Sequence, residues 1–97
     1  MKVLIVGSGG REHALAWRIG QSDQLTEMWV AGGNAGTAQI ATNLDINPEH
    51  VDAVEACAKS LKVDLVVVGP EMPLSLGLVD RLEKIGIPAF GPTQAAA

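Results

Sequence analysis

With no tyrosine, one phenylalanine and two tryptophans, this 97-residue chain has very few aromatic side chains. Its core must be built from Val, Leu, Ile and Ala, a composition that suits buried parallel strands covered by helices. A single cysteine, Cys57, excludes an internal disulfide and offers no partner spacing for zinc. It sits in a helical apolar pattern and reads as a small core hydrophobe. The longest apolar runs are about six residues, against the roughly 20 needed to cross a bilayer, so no membrane association is expected. Gly7 to Arg11 end the first apolar stretch too early for a signal peptide, which makes a reducing cytoplasm the expected compartment. The seven basic residues are scattered through a chain of net charge −4, which excludes the clustered footprint of a nucleic-acid binder. An acidic domain can still hold one phosphate, because local backbone donors outweigh overall charge.

What remains is a 47% hydrophobic sequence of single-domain length. Lys2-Val3-Leu4-Ile5-Val6 reads as a strand buried on both faces, stopped by Gly7-Ser8-Gly9-Gly10. Arg11 to Gln21 has helical spacing, with Leu15 and Ile19 at i, i+4 and Ala14 and Trp17 at i, i+3. Glu27 to Ala31 is a second strand, and Gln39 to Ile46 contains a short third. Asn47-Pro48-Glu49 predicts a helix start, with a capping side chain, Pro at the first position and an acid in the first turn. Val51, Val54 and Ala58 give that helix a core stripe flanked by Cys57 and Leu61. Val63 to Val68 is the clearest strand, a helix over about Leu74 to Lys84 follows, and Ile87 to Phe90 forms a last strand at an edge. Strands alternating with helices predict an α/β, Rossmann-like, doubly wound parallel sheet in three layers. The domain is expected over 1–92, with 93–97 beginning a linker.

In such sheets ligands gather at the carboxyl ends of the strands. Those ends carry Gly7 to Arg11, Gly32 to Gly36 and Gly69 to Glu71. The first loop follows a strand and opens a helix, the context in which free N–H groups and the helix dipole attract an anion. Arg11 in a first helical turn is mildly unfavourable unless something negative is near, and both Glu12 and a ligand phosphate meet that need. The competing reading is a tight turn whose glycines only permit close packing. Glu12 stands where a dinucleotide fingerprint needs its last glycine, and the second strand does not end in an acid, so NAD is disfavoured. No Gly-Lys-Ser/Thr follows, so a Walker loop fails as well. A phosphate outside a dinucleotide is left.

Gly32 to Thr37 reads equally as a second binding loop or as an ordinary turn with local Asn34 hydrogen bonds. In Gly69-Pro70-Glu71-Met72-Pro73-Leu74, two prolines stiffen the loop and aim Glu71, whose carboxylate suits a pair of ribose hydroxyls. Charge complementation of the next helix is the alternative for Glu71. His13, near the first loop, helps shape it; His50 belongs to an exposed helix start. No metal spacing and no nucleophile–base constellation is visible, so no catalytic residue and no metal ligand is expected.

Val3 to Leu15, Gly33-Asn34-Ala35-Gly36-Thr37, Asp64 to Glu71 with Pro73-Leu74, and Phe90-Gly91-Pro92-Thr93 together resemble the N-terminal, pre-ATP-grasp domain of the glycinamide ribonucleotide synthetases, the phosphoribosylamine–glycine ligases. The blocks occur in that family's order and spacing from end to end. One departure is Gly32, where the family commonly has proline, which predicts a looser second loop. The resemblance implies a ligase of purine synthesis that joins glycine to 5-phosphoribosylamine. It implies ATP with magnesium or manganese, held by an ATP-grasp region in C-terminal domains that follow this one, so the fragment alone is expected to be inactive. It makes Gly9, Gly10 and Arg11 candidates for the substrate phosphate, and Glu12 and Glu71 candidates for ribose or amine contacts. Asn34, Gly36, Thr37 and Pro73 become supporting walls. The rivals are the equivalent domain of another purine-pathway ATP-grasp ligase and a stand-alone nucleotide-binding or interaction module.

Overall fold

A computed structural model describes residues 1–7, 10–33, 36–47, 50–68 and 75–90. Five strands form one parallel sheet: β1 (Lys2–Gly7), β2 (Glu27–Gly32), β3 (Thr42–Leu44), β4 (Leu65–Val68) and β5 (Ala89–Phe90). Their spatial order is β3-β2-β1-β4-β5. Helices α1 (Gly10–Ile19), α2 (Val51–Leu61) and α3 (Ser75–Lys84) connect them, and only a 3-10 turn, Thr37–Gln39, lies between β2 and β3. The chain builds outward from β1 to β3, crosses back and builds outward again from β4. The order therefore reverses between β1 and β4, the position where doubly wound sheets open a ligand crevice.

The period-2 alternation of the strands divides the core between two faces. Leu4, Val6, Ala31, Val66 and Val68 face α2 and α3, which contribute Val54, Ala58, Leu78 and Leu82. Val3, Ile5, Met28 and Val30 face α1, which contributes Ala16. Helix, sheet and helices thus make the three expected layers, and β5 is at the expected edge. Leu82 and Leu4 are fully buried, each a contribution of about 1.5–3 kcal/mol over an exposed position.

Several local expectations are corrected. α1 spans Gly10–Ile19, and its inward residues are Ala16 with Ile19, while Ala14 is exposed and Trp17 is 57% exposed. The pair Ala14/Trp17 satisfies helical spacing, but on the side facing away from the sheet. α2 starts at Val51, with His50 as its extended N-cap residue rather than Asn47. His50 N–H donates to the Asn47 carbonyl at 3.0 Å, so this stretch closes a turn before the helix, and the His50 carbonyl accepts the first helical bond from Val54. Cys57 is half-buried on the flank of α2 and is not among the core residues. Gln39 to Ile46 contains only a three-residue strand, preceded by the 3-10 turn. The 92/93 boundary lies outside the described residues.

Candidate functional site

β1 and β2 run in register to their carboxyl ends, where Gly7 pairs with Gly32. One step further, Gly33 N–H donates to the Gly7 carbonyl at 2.8 Å. This bond ties the start of the first glycine loop to the start of the second, so the second loop is anchored where it leaves the sheet rather than loose there. Gly10, Arg11 and Glu12 form the first turn of α1, whose leading backbone N–H groups have no partner within the helix. On the other side of β1, Val68 pairs with Val6 and brings β4 to the same rim. The positions carrying Gly9, Asn34, Glu71 and Pro73 lie outside the described residues.

The second loop is held from behind by a partly buried clasp. Thr37 is fully buried, and its hydroxyl donates to Asn43 Oδ1 at 2.7 Å. The Thr37 carbonyl accepts from Ile40 N–H at 3.1 Å and from Ala41 N–H at 2.8 Å. Gly33 sits against both clasp side chains with φ of +77°, and a methyl group there would lie 2.8 Å from Thr37 Oγ1 and closer still to Asn43 Oδ1. Both the backbone angle and the lack of space require glycine. Thr37 therefore supports the loop through its interior and does not present its hydroxyl at the surface. Asn43, paired with Val30 in the middle of β3, is a rim residue that the sequence reading missed. The available signal was an asparagine within a strand, a position such residues seldom take without a hydrogen-bonding reason.

His13 stands in the first turn of α1 and packs on Gly36, the residue before the 3-10 turn. A methyl group on Gly36 would lie 2.6 Å from His13 Nδ1. Of the candidate residues described, Gly10, Arg11, Glu12, Gly36 and Thr37 thus come from two segments joined through His13. His50 is separate and caps α2. Arg81 of α3 forms ion pairs with Asp52 and Glu55 of α2, each at 2.5 Å, and the hydrogen bond to Asp52 raises its pKa further. That cation links helices.

An open depression of about 790 Å³ follows the outer side of α1, bordered among the described residues by His13, Ala14, Trp17, Arg18 and Gln21. These residues come from one helix and the turn after it. A ligand site usually draws convergent polar groups from several elements, and the sheet rim fits that description better. Among the described residues, no group of three or more His, Cys, Asp or Glu side chains could hold a metal ion. No described helix is long and apolar enough to cross a membrane.

A five-stranded parallel sheet, covered by helices on both faces and reversing its strand order between β1 and β4, defines a Rossmann-like α/β domain. All of residues 1–97 match the family described as phosphoribosylglycinamide synthetase, N domain, and the chain belongs to that family. It is 58% identical to a phosphoribosylamine–glycine ligase of Rhodopirellula baltica, an alignment covering 98% of this chain and 22% of the relative. Ligases of the same name from Rhizobium meliloti and Vibrio cholerae are 54% and 50% identical, with 100% of this chain and 23% of each relative covered. The chain spans under a quarter of the length of these curated relatives.

Proposed function

We propose that this chain is the substrate-binding N-terminal domain of a phosphoribosylamine–glycine ligase, and that its sheet rim takes the phosphoribosyl end of 5-phosphoribosylamine. The observation that carries the proposal is the family match over all 97 residues, joined to a rim where the end of β1 at Gly7 and the start of the second loop at Gly33 are tied together. Backbone N–H groups at Gly9 and Gly10, with the Arg11 guanidinium, receive the phosphate. Glu12 and Glu71 accept hydrogen bonds from ribose hydroxyls or the amine, while Asn34, Gly36, Thr37 and Pro73 shape the wall. The chain's own task is binding and orientation, which lowers the entropic cost of the amine's attack on glycine's activated carboxyl.

ATP with magnesium or manganese would supply that activation. This reading assigns ATP, its metal and the binding of glycine to the part of the ligase beyond the matched quarter. On this reading the ligase works in the cytoplasm, and the 97 residues alone bind without turning over.

Amide NMR shifts recorded while ribose 5-phosphate is added test the proposal. Shifts confined to Gly7, Gly10–His13, Gly33–Thr37 and the segment around Glu71 are expected, with a dissociation constant on the order of 1 mM. An unresponsive rim at higher concentration would refute it, as would equivalent shifts with NAD.

A further inference from the structure

We propose that His13 is a positioning residue: its imidazole sets the spacing between the phosphate-binding turn of α1 and the second glycine loop. The inference rests on the substrate reading of the rim and adds a residue that reading does not use. Gly36 has φ −68° and ψ −44°, ordinary helical angles open to any residue, so its backbone does not call for glycine. Its neighbour does. A Cβ at Gly36 would lie 2.6 Å from His13 Nδ1, 2.7 Å from Cε1 and 3.0 Å from Cγ, all along one side of the ring. The Nδ1 side of the exposed imidazole therefore stands close against Gly36, and a side chain there would have to displace the ring.

The loop carrying Gly36 is already fixed at both ends. Upstream, Gly33 bonds to Gly7; downstream, Thr37 is clasped by Asn43 and by the backbone of Ile40 and Ala41. Those ties hold the loop to the sheet, and none of them reaches α1. The His13 ring supplies that connection from the turn where the phosphate is proposed to bind. A rim with this spacing already set loses less freedom when substrate docks, and affinity rises accordingly. The ring acts here through its shape.

The test is a double-substitution cycle in the 97-residue chain, with ribose 5-phosphate as probe and thermal unfolding beside it. Gly36→Ala in the presence of His13 should lower the unfolding midpoint by about 5 °C and weaken binding about tenfold. In the His13→Ala background the same Gly36→Ala change should cost almost nothing by either measure, because the added methyl meets no ring. His13→Ala alone should weaken binding about fivefold with little change in midpoint, and His13→Phe, which restores a flat ring, should recover most of the loss. Equal effects of Gly36→Ala in both backgrounds would show that the two residues are uncoupled and overturn the inference. Unchanged affinity in His13→Ala, with the wild-type chain binding normally, would also overturn it. A wild-type chain that bound no ribose 5-phosphate would instead refute the substrate reading and the role built on it, while the thermal cycle still reported the contact.

Discussion

The two faces of the sheet are covered unequally. Toward α2 and α3, strand side chains meet four fully or nearly buried helical residues, Val54, Ala58, Leu78 and Leu82. Toward α1 the only buried helical side chain among the described residues is Ala16, and Leu65 and Val67 of β4 remain half-buried. Phe90 pairs with Val67 in the parallel register, shares that side of the sheet and is 68% exposed. The difference follows from the winding. Two rightward crossovers put α2 and α3 side by side on one face, whereas the single helical crossover from β1 to β2 puts α1 over only part of the other. One face holds the fold together, and the other carries the helix whose N-terminus opens onto the rim.

A matched pair of leucines tests that division most severely. Leu82→Ala removes a fully buried side chain from the thick face and should cost about 3 kcal/mol. Leu65→Ala, on the thin face and half-buried, should cost about 1 kcal/mol. Urea unfolding of both variants measures the difference. Equal losses would mean that the faces share the stabilisation and that the asymmetry in burial has no energetic counterpart.

The rim sits beside the thin face, and its described tie at Gly33 rests on backbone geometry more than on apolar packing. Gly33→Ala should cost about 2 kcal/mol, combining an unfavourable positive φ with overlap on Asn43 and Thr37. Adding Asn43→Ala should return part of that loss, since it removes the overlap with Asn43 and leaves that with Thr37 and the backbone strain. Full recovery would assign the whole cost to crowding, and a purely additive double variant would remove Asn43 from the clasp.

β1 and β4 were legible because they are short runs rich in Val and Ile closed by glycine, and β2 because glycine closes it as well. Helix faces were less legible. In α1, Ala14 and Trp17 have the same spacing as a true core pair, and a sequence with so few large residues offers little contrast between the two sides. The start of α2 was misplaced because Asn-Pro-Glu is a good helix opening in isolation, while here Asn47 closes a turn onto His50. The sequence marks the candidate rim with three glycine loops, of which the third lies outside the described residues, but it does not mark the ties. Asn43 reaches Thr37 across a turn and His13 reaches Gly36 from another element, and neither relation leaves a periodic trace in the chain.

The smallest expected effect lies at the margin of the thick face. Cys57, on the flank of α2, is buried enough that desolvation pushes its thiol pKa up. Burial favours the neutral thiol in the folded chain, so the unfolded chain releases this proton at lower pH. The associated stability is fully present below the unfolded pKa and is lost as pH rises through the folded one. Alkylation rates against pH, measured on the native chain and again in urea, should show the native midpoint at higher pH. Stability should fall slightly over the same interval, above the ordinary thiol range of about 8.5. A native midpoint equal to the unfolded one would mean that the flank of α2 is as wet as the open side of α1. The contrast between the faces would then stop at the inner row of Val54 and Ala58.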